Sequence, residues 1–389
     1  MIVLPPSEVT SGSGSDIITT GDKMLFDLKP KEDIKSFFDR EEEINDLVDS
    51  IEKYPLTMVT GLRRIGKSSL VRTVIKDKRY QSVCLDGRAM YANSGGNIKK
   101  ADLIQRLQNA LSEFSNFEKF KVFLSNVRGI SVKDLSLSMN WKEVDLLSLI
   151  EKIDKFSEKE NNYAVFFFDE AQYLKYYGTK GGNDLLSLFS YMYDNSKFIK
   201  IIISGSEIGL LHDFLNVDDY KSPLYGRYIR EISLNPFDKS TSISFLEKGF
   251  DEIKVKIDRE NIRRAVEVLD GIPGYLVEFG NRYAQFKDLD MAIKSTFQGL
   301  SGMIEGEIKE LERKSPRYVQ TLAYISNGIN TWSGLKNAFF AKGDTISDSR
   351  LYEILKNLEK MTWIKQERTG EKYEIIDNVL KEILKSGDE

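Results

Sequence analysis

Residues 61–69 read GLRRIGKSS and constrain this chain more than any other stretch. Gly61, Gly66, Lys67 and Ser68 satisfy every fixed position of the phosphate-loop pattern G-x-x-x-x-G-K-[ST]. The run LTMV before it (56–59) has the length and residue types of a buried strand, and SLVRTVIKD after it predicts a helix. Strand, glycine loop and helix together are the context the pattern needs. Glycines let the backbone turn its N–H groups inward around a phosphate, and the helix N-terminus adds partial positive charge at the same point. Leu62, Arg63, Arg64, Ile65 and Ser69 complete the binding loop. Lys67 is expected to reach the β- and γ-phosphates, and Ser68 to place its hydroxyl on Mg²⁺.

Hydrolysis needs more than binding. A run of apolar residues, AVFFF, delivers Asp169 and Glu170 at the expected C-terminal end of a strand, read here as 164–174. Open α/β sheets place their sites at that end. Asp169 is expected on the metal side through its water shell, and Glu170 to orient and activate the attacking water. A second apolar run, KIIISGSE (200–207), ends in Ser204 and Ser206. Either serine would sense the γ-phosphate or bind the lytic water, or the segment is simply a strand-to-loop turn. PLYGR (223–227) carries Arg227, either a charge-stabilising arginine or a surface one. GIPGY (271–275) is either part of a lid over the nucleotide or a helix-breaking turn.

Composition excludes several alternatives. One cysteine (Cys84) and one histidine (His212) leave no internal disulfide, cysteine-cluster metal site, serine-protease triad or zinc-protease site. The formal net charge of -4 provides no global basic field for nucleic acid. No apolar stretch is long enough to span a bilayer and the opening MIVLPP is not a secretion signal, so no membrane association and a cytoplasmic setting are expected.

At 389 residues the chain predicts more than one core. Residues 1–22, rich in Gly and Ser, read as a flexible tail. Residues 37–51 predict an amphipathic helix with Asp39 as its N-cap. Residues 23–236 alternate strands and helices, with strands apolar on both faces, which means a covered parallel sheet. A hairpin is expected within 129–141. Residues 237–311 are helical. Residues 312–389 give three helices and a two-strand hairpin turning at Thr369-Gly370, the plan of a winged helix. The fold class expected is α/β: a parallel-sheet P-loop NTPase core, a helical lid and a C-terminal winged helix.

The ordered set FFDREEEI, GLRRIGKSS, FFFDEAQ, IIISGS, SPLYGR and GIPGYL resembles the archaeal ATPase family, in the STAND branch of P-loop NTPases, related to AAA+ proteins and origin-recognition ATPases. The resemblance covers about residues 36–385. It implies ATP as the nucleotide, Asp39 and Arg40 beside it, Pro273 against the adenine, and Arg227 at the family's GR position. The lid shows no evident basic sensor of the kind many AAA+ proteins carry. DEAQ also resembles helicase boxes, but only one phosphate-loop domain is present. The third helix and wing of the winged helix mix Arg350, Lys356, Lys360, Lys365, Arg368 and Lys372 with as many acids. Three readings follow: an ATP- and Mg²⁺-dependent switch with slow hydrolysis, acting on a protein partner; a winged-helix DNA-binding regulator or origin-type initiator tuned by ATP; or a nucleotide-binding scaffold without useful turnover.

Overall fold

The computed structural model describes residues 24–124, 127–133, 136–140, 142–367 and 370–386. The expected tail (1–22), Trp141, Arg368 and Thr369 lie outside them.

After α1 (Glu41–Lys53), strand β1 (Leu56–Gly61) feeds the phosphate loop and α2 (Lys67–Asp77). Strand β2 (Gln81–Asp86) is followed by α3 (Gly87–Asn93), α4 (Lys100–Ser112) and α5 (Phe117–Leu124). The expected hairpin is β3 (Ile130–Lys133) with β4 (Ser136–Met139), paired antiparallel. Then come α6 (Leu146–Glu160), β5 (Ala164–Asp169), a 3-10 turn (Ala171–Tyr176) and α7 (Asn183–Asn195). Strand β6 (Ile199–Gly205), α8 (Ile208–Leu215) and β7 (Arg230–Leu234) complete this part. The five long strands form one parallel sheet, ordered β2-β5-β6-β1-β7.

Burial follows position in the sheet. The central strands β1 and β6 are buried at every residue, and β5 at all but its last. Helices cover both faces, as a parallel sheet requires. Phe166 and Phe168 pack on one face with residues of α4, α6 and α7, while Val165 and Phe167 pack on the other with α1 and α2. The edge strand β7 alternates, burying only Ile232 and Leu234. It is absent from the sequence reading because two apolar residues in five give little periodicity. Strand β5 ends at Asp169, five residues short of the expected Leu174, because Glu170 turns into a left-handed conformation (φ 48°).

Four helices follow: α9 (Lys239–Glu252), α10 (Arg259–Leu269), α11 (Pro273–Phe286) and α12 (Leu289–Lys314). The C-terminal part has α13 (Pro316–Ser326), α14 (Trp332–Ala341), α15 (Asp348–Lys360), β8 (Ile364–Gln366), β9 (Tyr373–Ile375) and α16 (Asn378–Ser386). The last helix extends the expected winged-helix plan. One continuous apolar core runs through both groups, from Phe245 on α9 to Leu384 on α16.

Leu25 and Phe26 belong to that helical core and not to the sheet. The Phe26 ring stacks edge-on to Phe250 at 5.0 Å and sits where Gly249 and Gly280 leave room, a methyl group at either being within 2.6 Å of it. Burying such a ring contributes roughly 1.5–3 kcal/mol. Backbone bonds from Leu25 to Glu252 and from Asn281 to the Phe26 carbonyl fix the segment on α9 and α11. At α1 the N-cap is Arg40 and not Asp39, which is exposed at φ 50°. Arg40 is held inward by Glu43 and by the Asn235 carbonyl, so the helix starts one residue later than its acidic neighbour suggests.

Candidate functional site

The parallel register brings three strand ends to one edge. Phe168 pairs with Ile203 and Val59 with Ser204, so Asp169 stands beside Ser204, next to the loop leaving β1. That loop turns through Gly66 at φ 105°, a conformation that favours glycine, and among the described residues no side chain caps the start of α2. The first N–H groups of the helix are therefore left for an anion.

Lys67 is buried, and its Nζ donates to the carbonyls of Gly61 (3.0 Å) and Leu62 (2.9 Å). Burial lowers its pKa, against the pull of Glu170 and Asp169. Ser68 Oγ donates to Asp169 Oδ2 at 2.6 Å, and Ser204 Oγ to Asp169 Oδ1. Burial raises the Asp169 pKa, and these two hydroxyls oppose the rise. Glu170 lies with Oε1 4.0 Å from Lys67 Nζ. Burial works against its charge, but the Lys67 ammonium and hydrogen bonds from Gln172 and Ser206 hold its carboxyl below the usual range.

Above this edge opens a cavity of about 550 Å³. It is lined by residues 64–69 of the phosphate loop and by Glu170. Phe37, Phe38, Phe237, Phe245, Pro273 and Val277 add apolar surface to the same lining. The segment 27–31 forms a third wall, tied to the phosphate loop where the Lys31 N–H donates to Ser69 Oγ at 3.0 Å. A lining that combines a phosphate loop with aromatic and aliphatic surface suits a nucleotide, and the volume falls within the range of small-molecule sites, about 300–1,000 Å³.

A family model described as an ATPase domain predominantly from Archaea matches residues 37–279. The chain belongs to this family of archaeal ATPases. A second model, the winged helix-turn-helix domain at the C-terminus of MCM proteins, matches residues 312–376 of the ATPase. A Walker-type ATPase of Pyrococcus abyssi is similar over 93% of this chain and 99% of its own, with 43% identity and a TM-score of 0.84. The Aeropyrum pernix ORC2 protein, solved in ADPNP-ADP complexes, aligns over 94% of this chain and 98% of its own. At 12% identity and a TM-score of 0.59 it shares the fold. No match was found among curated proteins.

The remaining candidates of the archaeal ATPase divide. Arg40 and Pro273 line the cavity; Asp39 does not. Ser204 is fully buried and holds Asp169 without lining the cavity, and Ser206 bonds Glu170. Arg227 is also outside the lining. Its Nε donates to Asp194 at 3.1 Å and its Nη1 to the Pro223 carbonyl at 2.6 Å, so the chain holds it on the surface near the end of α7.

The loop arginines have a further set of partners that sequence reasoning missed. Arg63 Nη2 lies 3.1 Å from Glu207 at the start of α8, its Nε 3.6 Å from Glu307 on α12, and its guanidinium 5.3 Å from the Trp363 ring before β8. Arg64 Nη2 meets Glu307 at 3.1 Å, and its carbonyl accepts the Gly274 N–H at 3.1 Å. Tyr275, next along α11, donates to Asp377 before α16. Nothing local in the sequence marks these pairs.

Proposed function

We propose that this archaeal ATPase is a nucleotide-dependent switch: ATP binds with Mg²⁺ in the cavity, is hydrolysed slowly, and its state sets the winged helix. The observation that carries the switch is Arg63, one residue of the phosphate loop in contact with the core (Glu207), α12 (Glu307) and the winged helix (Trp363). A loop that reshapes around phosphate displaces side chains that these three parts share. Lys67 would exchange its two carbonyl partners for phosphate oxygens. Ser68 and Asp169 offer adjacent hard oxygen atoms, the donor chemistry Mg²⁺ takes, and they would hold it. When bound, the ion neutralises charge on the phosphates. Glu170 would orient the water and accept its proton. Slow turnover belongs to the proposal because Arg227 is engaged by Asp194 outside the cavity. So do a place in the STAND branch near AAA+ proteins, a protein partner and a cytoplasmic setting. Among the described residues no helix is long and apolar enough to cross a membrane.

The switch is tested by hydrogen exchange over residues 348–376 with ADP and with a non-hydrolysable ATP analogue. The parent protein should show a nucleotide-dependent difference, and Trp363→Ala should erase it. Nucleotide affinity should stay within about threefold, or ~0.7 kcal/mol. Equal exchange with both nucleotides in the parent would sink the switch.

The match of residues 312–376 to a winged helix favours a second reading, DNA binding tuned by ATP. Charge speaks against it. The three basic residues of α15 are engaged: Arg350 with Glu353, Lys356 over Tyr352, and Lys360 with Asp213 on α8. A duplex-DNA titration should therefore find no steep salt dependence. An affinity that falls about 10³-fold or more between about 50 and 200 mM salt would establish the DNA reading.

A further inference from the structure

Glu170 has a neighbour that neither motif nor resemblance assigns a role. The 3-10 turn after β5 sends Gln172 back against the Glu170 carboxylate, and Gln172 is only 1% exposed. Its Nε2 donates to Glu170 Oε2 at 2.7 Å. The Ser206 N–H (3.2 Å) and hydroxyl (2.8 Å) donate to the same oxygen. Oε2 therefore has three donors, while Oε1 is the oxygen that faces Lys67. The amide cannot be turned round, since that would press a carbonyl oxygen against a carboxylate oxygen.

The other end of the amide shows what this arrangement costs. Gln172 Oε1 is buried and has no hydrogen-bond partner among the described residues. It lies against Gly205, where a Cβ would come within 2.6 Å of it. An orphaned buried acceptor is destabilising, and a methionine of similar length would fill the space without one. The bond to a charged carboxylate is what offsets that cost.

We propose that Gln172 is a positioning residue for hydrolysis: with Ser206 it clamps Oε2 of Glu170, so that Oε1 alone addresses the attacking water. This rests on the reading of Glu170 given above. In that step the water oxygen bonds to the γ-phosphorus and its proton passes to Glu170 Oε1. The bond from the γ-phosphorus to the bridging oxygen breaks, and ADP leaves with that electron pair. Without the Gln172 donor only Ser206 holds Oε2, the carboxylate rotates more widely about its last bond, and the fraction of time it spends aligned with the water falls.

Gln172→Met tests this, with turnover, ATP-analogue affinity and melting temperature measured on the same preparation. Expected is a loss of about tenfold to a hundredfold in kcat, with affinity within about twofold and no fall in melting temperature. In a Glu170→Gln background the same change should have no further effect on the residual rate, because no base remains to be aligned. Turnover within about twofold of the parent overturns the proposal. So does an equal loss in both backgrounds, or a joint loss of nucleotide binding and turnover, either of which makes Gln172 structural. If Glu170→Gln alone turns over at the parental rate, the assignment of Glu170 fails first and takes the clamp with it.

Discussion

Alanine at Lys67 should abolish measurable ATP binding by this archaeal ATPase. The ammonium now caps two carbonyls of its own loop, at 3.0 and 2.9 Å, in a buried site on the cavity lining. Phosphate oxygens are better partners than carbonyls because both sides of the bond are then charged. Two such bonds at about 1.5–3 kcal/mol each sum to about 3–6 kcal/mol, or roughly 10²–10⁴ in Kd. The unliganded protein should lose little stability, because the same change removes two hydrogen bonds and a buried charge that opposes its own burial. The check is thermal: ATP should raise the melting temperature of the parent and leave that of Lys67→Ala unmoved. A variant that gains the parental shift would show that the nucleotide is held elsewhere.

The second large effect is expected at Glu170. Glu170→Gln keeps the shape of the side chain and an oxygen for the Ser206 and Gln172 donors, but cannot accept a proton. Turnover should fall by about 10²–10⁴. ATP affinity should hold or improve, because a negative charge 4.0 Å from Lys67 no longer competes with the phosphates for that ammonium. A single-turnover measurement with excess protein separates the two: the variant should bind ATP and retain it unhydrolysed. Hydrolysis at the parental rate would falsify the assignment of Glu170 as the water-activating group.

Much of the fold was legible for identifiable reasons. Central strands such as KIIISG bury every residue, so they read as unbroken apolar runs. The amphipathic α15 shows Leu351, Ile354, Leu355 and Leu358 on one face. Strand β7 was not legible, since an edge strand needs few apolar residues. Helix α16 carries a periodic signal in Val379, Leu380, Ile383 and Leu384, beyond the hairpin that closes the expected winged-helix plan. Leu25 and Phe26 fall within the expected 23–236 core and pack instead with the later helices, because their partners, Glu252 and Asn281, are more than two hundred residues away.

The sequence by itself determined the residue types of the site: the phosphate-loop pattern with Gly66, Lys67 and Ser68, and two acids at a strand end. These are local matters, settled by backbone conformations over a few residues and by where a buried strand must stop. Tertiary structure alone decided what those residues do to the rest of the molecule. It put Arg227 against Asp194, and joined Arg63 and Arg64 to Glu307 and Trp363. It also closed the cavity with segment 27–31 and folded Gln172 under Glu170. Periodicity and motif spacing report which face of an element is buried, but not what it is buried against. A charged side chain's partner depends on that second fact, because ion pairs and hydrogen bonds act over a few ångströms, whatever the separation along the chain.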